Sequence, residues 1–120
     1  MIFGLASVVA TGHAEADDLL RLSGNQIRPR FVGKQFTDEV HWRYVYEREG
    51  RLRSYSMGTK KVGTWTVKKD ELCLTLNEPD DGCYEVLGSG DRIAMKPSGI
   101  GPSLEGVLQL PGIATDANTS

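Results

Sequence analysis

The feature that most constrains this chain is a two-residue rhythm that begins near residue 42. Trp42, Tyr44 and Tyr46 alternate with His41, Arg43, Val45 and Glu47. A β-strand sends successive side chains to opposite faces, so this spacing predicts a strand buried on one side. The rhythm returns in Gly63-Thr64-Trp65-Thr66-Val67, in Leu72-Cys73-Leu74-Thr75-Leu76, from Cys83 to Leu87 and from Arg92 to Lys96. Glu49-Gly50, Lys69-Asp70 and Ser89-Gly90 read as the turns between them, and Asn77 to Gly82 as a loop.

Turns fix registers. A two-residue turn at Lys69-Asp70 sets Val67 opposite Leu72 and Trp65 opposite Leu74. One at Ser89-Gly90 sets Val86 opposite Ile93 and Tyr84 opposite Met95. Pairing Cys73 with Cys83 sets Leu72 opposite Tyr84. Each assignment gathers the large apolar groups on one face and leaves Thr64, Thr66, Lys68, Glu71, Glu85 and Arg92 on the other, as an antiparallel sheet over one core requires. Leu52 opens a further strand after Glu49-Gly50, and short strands at Lys34 to Thr37 and Ser103 to Leu110 bring the count to about eight in meander order. The expected fold is all-β, an antiparallel meander closing into a small barrel, because closure removes exposed edges. An open, curved sheet packed on an N-terminal helix is the alternative. That helix has Ser23 as its N-cap and Gly33 as its stop, is kept short by Pro29, and would use Leu19, Leu20, Ile27 and Phe31 as a plug.

Met1 to Ala10 is an apolar run of the length of a signal-peptide core, followed by the small-x-small triplet Ala14-Glu15-Ala16. A basic segment ahead of the run is missing, and a start codon placed further upstream would supply it. The expected organisation is a signal peptide at 1–16, one domain at 17–112 and a polar tail at 113–120. The expected location is periplasmic or secreted. In that setting an isolated Cys73 and Cys83 pair, with no C-x-x-C spacing, reads as a structural disulfide.

Leu22-Ser23-Gly24, Ile27, Phe31-Val32-Gly33-Lys34, Trp42-x-Tyr44, Gly50-x-Leu52, Gly63-Thr64-Trp65, Leu72-Cys73 and Cys83-Tyr84 follow one another in that order. The pattern resembles a group of small exported bacterial domains, typically a signal peptide, a short helix and a cysteine-stapled β-meander. The resemblance spans about Leu22 to Met95 and implies fold and compartment, with no assigned activity. Gly63-Thr64-Trp65 is also similar to the G-x-W of lipocalin-like barrels, though it stands mid-chain here rather than on the first strand.

Two histidines and two cysteines are too few for a usual four-ligand zinc site without carboxylates, and no metal or cofactor is expected. After export only His41 remains, beside Asp38 and Glu39, with Ser54 and Ser56 as the nearest hydroxyls by register; no spacing demands a triad, and no enzyme is expected. Glu78, Asp80 and Asp81 lack EF-hand spacing. Neither Gly88-Ser89-Gly90 nor Gly99-Ile100-Gly101-Pro102 opens a helix, as a phosphate loop must.

Two surfaces remain. Residues 28–69 hold eleven basic and four acidic residues, a balance of +7 against −9 elsewhere, within a net charge of −2. Arg43, Arg51, Arg53, Lys60, Lys61 and Lys68 are the candidate interaction surface, suited to anionic glycans, lipid headgroups or an acidic envelope protein. Trp42, Tyr44, Tyr46 and Trp65, with Ser54 among them, are the candidate ligand-binding interior. The expected function is an exported, non-catalytic binding module carrying a small apolar ligand. The alternative is a periplasmic protein-interaction module, such as an envelope protease inhibitor, working through the basic face. Nucleic acid and stable membrane insertion are not expected.

Overall fold

The computed structural model describes residues 18–79 and 81–112. The leader expected at 1–16 and the tail at 113–120 lie outside the described residues, as does Asp80. The elements are β1 (Leu20–Arg21), α1 (Gly24–Phe31), β2 (Lys34–Thr37), β3 (Trp42–Tyr46), β4 (Arg51–Ser56), β5 (Thr59–Lys68), β6 (Glu71–Thr75), β7 (Gly82–Ser89), β8 (Arg92–Pro97) and β9 (Leu104–Gln109).

Strands β2 to β9 pair in sequence order, all antiparallel, and β2 then pairs with β9 through Gln35↔Gln109, Phe36↔Leu108 and Thr37↔Val107. The meander is therefore a closed eight-stranded barrel and not the open sheet. The extra strand β1 lies against the second half of β7, with Leu20↔Gly88 and Arg21↔Leu87, where β7 has run past its pairing with β6.

The helix closes one end of the barrel. The Gln26 side chain accepts the Ser23 N–H at 2.8 Å, Arg28 and Arg30 sit in the last turn where the helix dipole favours cations, and Gly33 turns the chain at φ +77°. Ile27 and Phe31 are fully buried. Arg30 reaches the Gly90 carbonyl at 3.1 Å, and the Gly24 N–H donates to Asp70 at 2.8 Å, so α1 lies across the β5–β6 and β7–β8 hairpins. The opposite end is formed by the β2–β3, β4–β5, β6–β7 and β8–β9 loops.

Three sequence expectations require correction. Leu20 is exposed; the plug uses Leu22, whose N–H is tied to the Val86 carbonyl at 2.8 Å. The β7–β8 turn is Gly90-Asp91 and not Ser89-Gly90, so Val86 faces Met95 and Tyr84 faces Pro97. That slip of two residues leaves every side chain on its expected face. Thirdly, β5 begins at Thr59, so Lys61 stands opposite Ser54 on the inner wall and leaves the basic outer face. The other registers hold: Trp65↔Leu74, Val67↔Leu72, Leu72↔Tyr84 and Cys73↔Cys83.

Candidate binding site

Alternation along β3, β4 and β5 decides what lines the interior. Tyr46 pairs with Leu52, Tyr44 with Ser54 and Trp42 with Ser56, because Gly50 at φ +92° supplies the extra turn residue between the strands. Across the next ladder Ser54 pairs with Lys61, Ser56 with Thr59 and Leu52 with Gly63. Residues directly opposite share a face. Five neighbouring inward positions towards the open end are thus small or polar: Ser54, Ser56, Thr59, Lys61 and Gly63.

The wall beside them is aromatic. Six rings form one edge-to-face chain through the barrel, with centroid separations of 5.4 Å for Trp65–Tyr46, 5.0 Å for Tyr46–Phe31 and 6.2 Å for Phe31–Phe36. Phe36–Trp42 at 5.1 Å and Trp42–Tyr44 at 5.5 Å complete it. The four expected rings belong to this chain, and the structure adds Phe31 from the helix and Phe36 from the closing strand. At the closed end Trp65 donates to the Glu47 carbonyl at 2.9 Å and lies under the Arg28 guanidinium at 4.9 Å. At the open end Trp42 is only half-buried.

Polar atoms inside this apolar wall are poorly satisfied. Ser54 is 3% exposed, and among the described residues its hydroxyl makes no side-chain hydrogen bond. The Tyr46 hydroxyl is fully buried and, among the described residues, meets only the Met95 thioether, at 3.9 Å. Burial, with Tyr44 and Tyr84 close by, pushes the Tyr46 pKa well above its ordinary value, so it remains a hydrogen-bond donor. Buried polar groups are nearly always paired, which marks these two. Above them the Lys61 ammonium is held 2.9 Å from the Glu78 carboxylate, an ion pair across the mouth between β5 and the β6–β7 loop.

The outer face of β3, β4 and β5 keeps Arg43, Arg51, Arg53, Lys60 and Lys68 together. Tyr55 organises them. The Arg43 guanidinium stacks over its ring at 4.0 Å, and Arg53 donates to its hydroxyl at 2.6 Å and to Glu47 at 2.7 Å. Arg51 shares Glu47 at 3.6 Å. Arg43 also reaches Gln35, which bonds to Gln109, which bonds to Glu39, at 3.3, 3.3 and 3.2 Å. This relay crosses the seam and buries Gln35 completely on the outside of the wall.

Asp38 and His41 do come together, with Nδ1 2.9 Å from Oδ2. Burial alone would raise the Asp38 pKa, but the backbone N–H groups of Val40, Trp42 and His41, with the His41 ring, outweigh it and lower the value to about 2. The carboxylate caps a loop, and Ser54 and Ser56 face inward away from it. Asp81 likewise accepts the N–H groups of Leu76 and Asn77 at 2.7 Å each. A groove of about 620 Å³ lies outside the barrel, walled by α1 and the β5–β6 hairpin, and Asp70 occupies the helix N-terminus there.

Cys73 and Cys83 are joined on the outer face, with their Cα atoms 3.9 Å apart. A disulfide of this kind fits an extracytoplasmic protein. Among the described residues no helix is long and apolar enough to cross a membrane. No family model matches the chain, and comparison with curated proteins and with solved structures returns no match.

Proposed function

We propose that this protein is an exported, non-catalytic binding module that takes a small apolar ligand with a polar handle into the open end of the barrel. The observation that carries this is Ser54: a buried hydroxyl without a side-chain partner among the described residues, set in a strip of small inward residues beside the Trp42–Tyr44 ring pair. An eight-stranded barrel is just wide enough to be filled by side chains or to hold one small ligand. Here Trp65, Tyr46 and Phe31 fill the helix end, while Trp42 and Tyr44 stand towards the mouth beside the small residues. A ligand hydroxyl or carboxyl would meet Ser54 and Lys61 while its apolar body lies against Trp42 and Tyr44. Periplasmic or secreted placement is part of the same reading, supported by the leader pattern, the disulfide and the resemblance to small exported bacterial domains.

Titrating the protein with fatty acids and small aromatic compounds, followed by tryptophan emission, tests it. Trp42 should respond, and Ser54→Leu should abolish the response with little loss of stability because it fills free space. No response in the parent, with Ser54→Leu costing the ~1–3 kcal/mol typical of overpacking, would show a filled interior.

One observation favours a second reading. The Arg43–Tyr55–Arg53 stack presents fixed cations on an outer strand face, a surface suited to an acidic envelope protein. Arg43→Ala with Lys60→Ala would weaken such a complex without altering ligand response.

A further inference from the structure

The ladder between β3 and β4 continues one pair past the strand ends. The Met57 N–H donates to the His41 carbonyl at 3.2 Å, directly beyond Trp42↔Ser56. Residues directly opposite share a face, with Cβ atoms about 4.5–5.5 Å apart. The alternation that sends Trp42 and Ser56 inward sends these two outward. An imidazole and a thioether are thus neighbours on the outer side of the open end. Both meet solvent: the His41 side chain is 59% exposed and Met57 is 74% exposed.

Met57 does not serve the fold. With Gly58 it forms the two-residue β4–β5 turn, at φ values of +50° and +87°. Such a turn favours Asn, Asp or Gly at its first position, where other side chains are strained. Methionine there suits neither the turn nor the core. The His41 ring, by contrast, is deliberately oriented. Asp38 Oδ1 accepts the backbone N–H groups of Val40, His41 and Trp42 at 2.9, 2.7 and 3.0 Å, which fixes the carboxylate. Its Oδ2 lies 2.9 Å from His41 Nδ1. A carboxylate only accepts, so Nδ1 carries the proton of the neutral ring and Nε2 keeps the lone pair. A carboxylate behind one ring nitrogen and a lone pair on the other is the arrangement that metal-ligating histidines use.

We infer that His41 Nε2 and the Met57 thioether together bind Cu(I). Thioethers select soft ions, whereas imidazole takes zinc, copper, iron or nickel, so a mixed pair narrows the choice. Zinc calls for a fuller tetrahedral shell, and among the described residues no three of His, Cys, Asp and Glu gather to hold a metal. Cu(I) is soft and satisfied by low coordination, so two side chains suffice. Its single charge also fits the surroundings. Asp38 sets a negative charge behind the ring, but Arg43, the next outward residue along β3, begins the basic face, and a dication would be repelled more strongly there. Cys73 and Cys83 are joined to each other, so neither offers a competing thiolate. The site lies outside the barrel and stands whether or not the interior takes a ligand.

The test uses the full chain with isotope-labelled methionine methyls and silver(I), an ion of the same charge and similar softness that needs no reductant. In nuclear magnetic resonance spectra the Met57 methyl and the His41 ring signals should shift together, and the fully buried Met95 should not respond. Cu(I) affinity is then measured by competition with a chromophoric chelator under ascorbate. Asp38→Asn should weaken binding roughly tenfold while the Met57 methyl still shifts, the effect of a positioning residue. Met57→Asn should fold at least as well as the parent, because it suits the turn, and should lose more affinity than Asp38→Asn. His41→Phe should lose as much, and the double variant little further. Silver that moves the signals of Met1 or His13 and leaves His41 and Met57 in place would overturn the inference. So would Met57→Asn binding Cu(I) as the parent does. Zinc held as tightly as Cu(I), and equally well by Met57→Asn, would overturn it by showing a histidine site that does without the thioether.

Discussion

Phe31 is the side chain on which the closed end depends, and its replacement has a size that the structure sets. The ring is fully buried and meets Tyr46 at 5.0 Å and Phe36 at 6.2 Å, joining the two halves of the ring chain through the helix. Phe31→Ala removes its apolar burial and leaves a hole bounded by rings that are themselves held by strands. Such truncations cost about 3–5 kcal/mol, and two lost edge-to-face contacts of ~0.5–1.5 kcal/mol each place this one in the upper half of that range. For a domain this small, each kcal/mol is about 4–8 °C of Tm, so the midpoint should fall by at least ~16 °C. The assay is urea and thermal unfolding followed by near-ultraviolet circular dichroism, with Phe31→Leu as a milder variant that still folds. Small aromatic compounds should raise the midpoint of Phe31→Ala more than that of the parent, since a dry apolar hole binds them. A loss under ~1.5 kcal/mol, with no such rescue, would refute the reasoning and mean that the helix merely rests on the barrel.

Asp38→Asn should flatten the acid limb of stability: the native carboxyl, with a pKa of about 2, holds its charge better than the unfolded one. Its contribution of roughly 2 kcal/mol is therefore present above about pH 4 and is lost as pH falls towards 2, which urea titrations at pH 2 to 6 will show. Reduction of Cys73–Cys83, or Cys83→Ser, should cost about 2.5–3 kcal/mol on the chain-entropy model without changing far-ultraviolet strand content; two reactive thiols in the protein isolated from the envelope would contradict the compartment. Gly106→Ala should loosen the β2–β9 seam by roughly 1–3 kcal/mol, because a Cβ there would overlap the Thr37 carbonyl, and amide exchange at Phe36 should rise. N-terminal sequencing of the exported protein should begin at Asp17.

Most of the barrel can be read from alternation, since face is a local property of a strand. Even the misplaced turn at residues 89–91 cost nothing in face, because the slip was two residues and the period is two. Lys61 was legible as well: counting back from Trp65 through Gly63 puts it inside, and the composition of the Lys60-Lys61 pair hid that parity. Phe36 was harder to find, because a four-residue strand gives too little rhythm to assign a face. Gln35 could not have been found at all. Its burial comes from Arg43 and Gln109, which lie on two other strands, and nothing local marks a glutamine for that place.

The seam between β2 and β9 joins positions some seventy residues apart through three paired residues, whereas the disulfide staples a hairpin that is already local. The covalent bond and the topological closure therefore protect different parts of the ring. This seam has the fewest paired residues of the barrel's ladders, so an opening there would bare two edges with matching register. A second molecule caught open at the same moment offers the same two edges, so exchange of β9 between copies is the route by which concentrated protein would form dimers and longer chains. High concentration would favour that exchange, and the short Gly/Pro-rich β8–β9 connection is the hinge that would have to straighten.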